Sequence, residues 1–250
     1  MTTFVLVHGA FQGGWVYARV ARLLRKAGHE VYTPTLTGLG ERFHLANQAI
    51  NLDTHIQDIV NVFKYEDLRD VVLCGHSYGG LVITGVAGEV GHRIRTLFYL
   101  DAYAPAKGES LLSICGAEIS LAVLEQASEN AGMIPPIPAA AFNVNAADAA
   151  WLDEMCGPQP LASFVQAVRV DAESLPVANR TYVFATANGG DWFVSTYARV
   201  KDNPRWKVHT VAAGHNVMLD SPDELTSLLL EEAPEIAQDG CGRTGAENAN

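Results

Sequence analysis

The stretch Asp70-Val-Val-Leu-Cys-Gly-His-Ser-Tyr-Gly-Gly-Leu-Val-Ile83 constrains this chain more than any other. An apolar strand pattern runs straight into Gly75-x-Ser77-x-Gly79, and a helical pattern follows at once. That layout is a nucleophile elbow, a tight strand-to-helix turn that holds a serine hydroxyl clear of the backbone. Glycines two residues to either side suit it, because the turn brings neighbouring backbone too close for a Cβ. The pentapeptide alone is weak evidence, since ordinary Gly and Ser usage produces it in roughly one in ten chains this long. The strand before it and the helix after it make Ser77 a candidate nucleophile rather than a turn serine.

Around this motif, apolar runs alternate with helical patterns. Strands are expected at Phe4–Val7, His29–Thr33, Val71–Gly75, Thr96–Leu100, Thr181–Ala185 and Lys207–Val211. Helices are expected over about Trp15–Ala27, Leu52–Phe63, Tyr78–Val90 and Pro222–Glu232. Such alternation implies an α/β fold with a mostly parallel sheet covered by helices on both faces. Residues 104–175 interrupt the rhythm with short helical patches and the proline cluster Ile134-Pro-Pro-Ile-Pro138, and no strand is evident there. The reading is a core of residues 1–103 and 176–238, with 104–175 inserted as a helical cap over a pocket. Residues 239–250 lack apolar content and are expected to be a disordered tail.

The 250 residues, 48% hydrophobic, suffice for one large single-core domain. A formal charge of −11 argues against nucleic acid or an anionic membrane surface as partner. Cys74, Cys115, Cys156 and Cys241 are scattered without a CxxC or Cys/His cluster. Reduced thiols and a cytoplasmic location are therefore expected, without a disulfide framework or a metal site. The chain enters its first strand without a basic region, apolar core or cleavage site, so no secretory signal is expected. No apolar run reaches the ~18 residues needed to span a membrane.

A serine hydroxyl needs a base within hydrogen-bond reach and a carboxylate to orient that base. Behind a nucleophile elbow the chain order is Ser, acid, His. Of the histidines after Ser77, His92 sits near the end of the elbow helix and reads as a surface residue. His209 lies inside the last strand and reads as a packed, satisfied residue. His215, in Ala213-Gly-His-Asn216, follows that strand where a base can swing over the strand ends. For the acid, the loop after Ala185 offers Asn188, which carries no charge, and then Asp191. Asp101, directly after the strand Thr96–Leu100, is the better preorganised candidate and is favoured over Asp191.

Acyl transfer also needs donors for the oxyanion, worth ~3 kcal/mol each. The Tyr78 N–H at the start of the elbow helix and the Ala10 N–H in the loop after the first strand are the candidates. Phe11, Trp15, Met133, Phe142, Trp151, Trp192 and Phe193 are candidates to line an aromatic-accepting pocket, although each also reads as plain core. Gly13-Gly14 and Gly38-x-Gly40 do not match a dinucleotide fingerprint in spacing or helix context, and no metal or cofactor motif occurs.

These residues resemble the α/β-hydrolase fold enzymes, in particular the plant methylesterase and hydroxynitrile lyase group and its bacterial counterparts. The matching pieces are Phe4-Val-Leu-Val-His-Gly-Ala10 with Gly13-Gly-Trp15, Thr33-Pro-Thr-Leu-Thr-Gly-Leu-Gly-Glu-Arg42, Gly75-His-Ser-Tyr-Gly-Gly80, Tyr99-Leu-Asp-Ala102 and Gly214-His215. The Tyr99-Leu-Asp-Ala102 piece is similar to the bacterial branch, which supports Asp101 as the acid. Gly132-Met133 and Pro136–Val144 resemble bacterial hydrolases of benzimidazole methyl carbamates. Lyases of the group tend to carry threonine at the place of Gly9 and lysine at the place of Asn216, so both departures favour an esterase.

The resemblance implies a cofactor-independent serine hydrolase for small, uncharged carboxylic or carbamic esters, with Ser77, His215 and Asp101 as triad. The alternatives are a C–C lyase using the same triad and a non-catalytic small-molecule receptor. The oligomeric state is left open, and a homodimer is compatible with the chain.

Overall fold

The structure, a computed structural model, describes residues 1–233; the expected tail at 239–250 and the core boundary at 238 lie outside them. The first half carries β1 (Thr3–Val7), α1 (Ala18–Lys26), β2 (Glu30–Tyr32), α2 (Leu52–Tyr65), β3 (Val71–His76), α3 (Gly79–Val90) and β4 (Ile94–Leu100). Next come α4 (Leu111–Cys115), α5 (Ala117–Glu129), β5 (Met133–Ile134), α6 (Ala149–Met155), β6 (Gln159–Pro160) and α7 (Ala162–Val165). The chain then returns to β7 (Asn179–Ala185), α8 (Val194–Val200), β8 (Lys207–Val211), α9 (Val217–Asp220) and α10 (Pro222–Leu230).

Six strands form one sheet in the order β2-β1-β3-β4-β7-β8, every pair parallel. The strands are apolar on both faces because both faces are covered. In β1, Phe4 and Leu6 pack with Val20 and Leu24 of α1 and Leu225 and Leu229 of α10. Val5 and Val7 face the other way, into a cluster with Ile56, Ile59 and Phe63 of α2 and Leu81 and Val82 of α3. The chain winds in opposite directions from β1 to β2 and from β1 to β3, so the loops leaving β1 and β3 diverge and open a crevice at the carboxyl edge. That crevice holds the site.

Two local details differ from the sequence reading. The helix expected from Trp15 starts as a 3-10 turn over Gly14–Tyr17, with the Gly14 N–H donating to Thr35 Oγ1, and becomes α-helical only at Ala18. Helix α2 starts at Leu52 as expected, behind an N-cap at Asn51 that exchanges capping hydrogen bonds with Thr54. Residues 104–175 also contain a strand pair after all, β5 against β6 antiparallel. Two-residue strands, one of them ending in proline, are too short to leave a period-2 signature. No helix among the described residues is long and apolar enough to cross a membrane.

The elbow is held by close backbone approach. A Cβ on Gly75 would lie 2.5 Å from the Gly79 carbonyl oxygen, and one on Gly80 would lie 2.1 Å from that of Tyr103. Neither obstacle is a flexible side chain, so α3 would have to move. Gly80→Ala is expected to destabilise the fold by about 1–3 kcal/mol, the usual cost of overpacking. Urea unfolding of the variant checks this; an unchanged midpoint would mean that α3 can shift freely on β4.

Candidate active site

Ser77 stands at the end of β3 with φ +54°, a left-handed conformation that non-glycine residues seldom adopt. Its peptide is anchored to the neighbouring strand end: its N–H donates to Leu100 O at 3.3 Å, and its carbonyl accepts from Tyr103 N at 3.3 Å and Gly80 N at 3.0 Å. Gly9 approaches so closely that a Cβ there would lie 2.8 Å from His76 Nδ1 and 3.0 Å from Ser77 Cβ. The loop after β1 is thereby pressed against the elbow.

His215 is fixed on every side. Its ring Nδ1 lies 2.8 Å from Asp101 Oδ2, its N–H donates to Phe142 O at 3.0 Å, and its carbonyl accepts from His76 Nε2 at 3.0 Å. Phe193 stacks on the imidazole at 4.7 Å and 13°, with His76 at 4.3 Å and Phe142 at 4.8 Å. An ionised carboxylate only accepts, so Nδ1 carries the proton toward Asp101 and Nε2 keeps its lone pair. Burial pulls the pKa of His215 well below 6.5, which leaves the ring neutral at neutral pH.

Asp101 is fully buried, with φ +40°. Its Oδ1 accepts from Ala185 N at 3.1 Å, and its Oδ2 also accepts from Asn188 Nδ2 at 3.3 Å. Burial raises its pKa, and these donors pull the other way. Asp101, not the exposed Asp191, is therefore the carboxylate hydrogen-bonded to His215. Asn188, passed over as uncharged, supports that carboxylate. His92 is exposed, as expected. His209 departs from the satisfied core residue that was expected: it is half-buried on the edge strand β8, and its Nε2 has no hydrogen-bond partner among the described residues.

The two candidate oxyanion donors, the N–H groups of Ala10 and Tyr78, have no acceptor among the described residues, whereas the next amide along the first loop, that of Phe11, donates to Gln159 Oε1 at 2.9 Å. The structure thus brings Ser77, His215, Asp101, Ala10 and Tyr78 to one edge of the sheet.

A pocket of about 240 Å³ opens over Ser77 and His215. Of the residues singled out from the sequence, Ala10, Phe11, Phe142, Trp192 and Phe193 line it. Met133, Trp15 and Trp151 do not: Met133 is taken into β5, and Trp151 is 38% exposed with its ring edge-on to that of Trp15. Residues 104–175 supply most of the wall instead. In α5, Ile119, Ala122, Val123 and Gln126 face the pocket, an i, i+3, i+4, i+7 spacing legible in sequence as one helix face. Gln12, Tyr103 and Phe164 were also missed, and no local pattern marks them. No Lys, Arg, Asp or Glu lines the pocket among the described residues.

A covered parallel sheet with a serine elbow at its third strand, and a buried acid–histidine pair beside it, define an α/β hydrolase. Residues 4–228 match the alpha/beta hydrolase family, and the chain belongs to it. It is 42% identical over 240 residues to a carbendazim hydrolyzing esterase from Nocardioides sp. (strain SG-4G), spanning 92% of this chain and 98% of that one. A shorter match to an alpha-hydroxynitrile lyase of Arabidopsis thaliana is 30% identical over 103 residues, 41% of this chain and 40% of the relative. Among solved structures, an extracellular alpha/beta-hydrolase from a Paenibacillus species superposes with a TM-score of 0.83 at 24% identity, over 94% of this chain and 100% of that one. That last likeness is one of fold.

Burial of four histidines is expected to make the fold acid-sensitive. His8 and His55 are pulled down to about 3 and about 4, and His76 and His215 lie well below 6.5, in each case chiefly by burial. Between its folded value and 6.5, each of the four binds fewer protons folded than unfolded. Their contribution is complete above about pH 6.5 and is lost as pH falls. Asp101, raised by burial, opposes this above 3.8, one group against four. The urea midpoint is expected to drop between pH 7.5 and pH 5; a constant midpoint would contradict the burial argument.

Proposed function

We propose that the protein is a serine esterase for small, uncharged, aromatic carboxylic or carbamic esters, with residues 104–175 acting as the cap that roofs its pocket. The observation that carries the reading is the buried Asp101–His215 pair at 2.8 Å, set beside Ser77 in a pocket without a charged wall. Ser77 Oγ attacks the ester carbonyl, and its proton passes to His215 Nε2. Asp101 stabilises the resulting imidazolium and keeps the ring in the tautomer that exposes Nε2. The oxyanion is held by the amides of Ala10 and Tyr78. His215 then protonates the leaving alkoxide, and water, activated by the same ring, releases the acyl group.

The substrate class rests on the pocket and on the relative. A volume of about 240 Å³ is at the small end for ligand sites, and an apolar wall without cations offers nothing to a carboxylate substrate. The 42% identity to a carbendazim hydrolyzing esterase over nearly its whole length points to methyl carbamates of aromatic heterocycles. The lyase reading is weakened at Gly9, where a side chain would meet His76 and Ser77.

The test is turnover of carbendazim, aryl acetates, aromatic methyl esters and a cyanohydrin by wild type, Ser77→Ala and Asp101→Asn. Ester or carbamate cleavage is expected to fall by at least about 10³-fold in Ser77→Ala and by roughly 10²–10⁴-fold in Asp101→Asn. A serine-directed phosphonate should label wild type at Ser77. Cyanohydrin cleavage alone, without labelling, would favour the lyase; no turnover of any compound would favour a receptor.

The pH profile provides a separate check. His215 must be neutral to accept the proton, and burial lowers its pKa, so the acid limb of kcat/KM is expected to have its midpoint below 6.5. A midpoint above 6.5 would mean that the base is more solvated than the structure has it.

A further inference from the structure

We propose that Gln159 is a positioning residue for the oxyanion hole, holding the first loop so that the Ala10 N–H stays turned into the pocket. The inference rests on the oxyanion role assigned above to Ala10 and Tyr78.

Phe11 has φ +68°, a conformation that a bulky residue keeps only when its surroundings impose it. Both peptides flanking its Cα are pinned by one short segment of the insertion. The N–H on one side donates to Gln159 Oε1 at 2.9 Å, and the carbonyl on the other accepts from Gly157 N at 2.9 Å. With those two planes fixed, the preceding peptide, which carries the Ala10 N–H, has little freedom to rotate toward another partner. Ala10 lines the pocket, and its N–H has no acceptor among the described residues.

Gln159 is itself locked. It has no exposed surface, and its Nε2 donates to Ser163 Oγ at 2.9 Å. The Ser163 hydroxyl spends its own proton on Pro160 O at 2.7 Å. Toward Gln159 it can therefore only accept, so the amide nitrogen must face Ser163 and the amide oxygen must face Phe11. The next residue, Phe164, places its ring 5.9 Å from that of Phe11 and 5.6 Å from that of Tyr78. One stretch, Gly157–Phe164, thus touches the neighbour of one oxyanion amide and the side chain of the other. Sites that stabilise developing charge depend on such supporting contacts, because donors act only when held at the oxyanion's position.

The experiment compares Gln159→Met, which keeps volume and loses the acceptor, with Gln159→Glu, which keeps a carboxyl oxygen for the Phe11 N–H. Readouts are kcat and KM on p-nitrophenyl acetate, and the affinities for trifluoroacetophenone, which forms a tetrahedral adduct on serine, and for unreactive acetophenone. Gln159→Met is expected to lose about 10–100-fold in kcat, below the ~10²–10³-fold of deleting a donor outright. Its trifluoroacetophenone affinity should fall in parallel, with KM and acetophenone affinity within about twofold, and Gln159→Glu should recover most of the loss. If Gln159→Met does not fold, Gln159→Asn, whose amide is withdrawn by one methylene, takes its place with the same expectation. Wild-type kcat in the acceptor-deleted variant, or equal weakening of both ketones, would overturn the proposal. Turnover that persists in Ser77→Ala would instead overturn the serine-esterase reading beneath it.

Discussion

The arrangement hangs on one carboxylate with no exposed surface. Asp101 gathers the ends of three strands: it continues β4, accepts from the last residue of β7 through Ala185 N, and accepts from His215 beyond β8. Its own N–H donates to Val183 O at 2.7 Å, which ties its backbone to β7 as well. A buried carboxylate is costly unless its lone pairs are filled, and burial alone drives its pKa up. Three donors, from Ala185, Asn188 and His215, are what make the charged form tenable. If any one were lost, the remaining charge would be under-satisfied, and the proton would settle more readily on Asp101.

Left-handed backbone marks the same place. Among the described residues, seven non-glycine residues have positive φ, and Phe11, Ser77 and Asp101 are three of them. Asn143 is a fourth, directly after the residue whose carbonyl holds the His215 N–H. Each costs backbone energy and survives because neighbouring hydrogen bonds over-determine it. Ser77 is held by Leu100 and Tyr103, Asp101 by Val183, and Phe11 by Gly157 and Gln159. At Ser77 the bend sets the serine at the pocket, and at Asp101 it sets the carboxylate against His215. Side chains of a regular strand would instead point into the two apolar layers.

This explains how much could be read from the chain alone. Strands of a doubly covered sheet are apolar runs, so their ends are legible, and polar residues just beyond them stand out against the runs. Ser77, Asp101, His215 and the loop at Ala10 are all of that kind, and parallel strands must bring their carboxyl ends to one edge. The choice between Asp101 and Asp191 turns on a hydrogen bond that spacing alone does not determine. The pocket wall is harder, because it is built by packing between distant segments. Trp151 and Met133 have the right chemistry for it and face elsewhere, while α5 supplies a face of modest residues such as Ile119, Ala122 and Val123. Gln159 has no sequence signal at all. Its importance lies in an amide orientation dictated by a serine four residues on.

The absence of charge in the pocket raises the stakes of that orientation. Among the described residues no Lys or Arg lines the pocket, and the four buried histidines, their pKa values lowered by burial, are neutral at neutral pH. Under the esterase reading, the oxyanion then depends on two backbone amides and on the imidazolium formed during the reaction. Amides in a dry, apolar cavity are strong stabilisers when aligned, but nothing else there compensates for misalignment. One of them is steadied by the segment that also walls the pocket. Substitutions in residues 157–164 that reshape the wall for a new substrate will therefore tend to disturb the rate on every substrate. Substitutions on the pocket face of α5, which makes no such hydrogen bond to the first loop, are freer to change specificity alone.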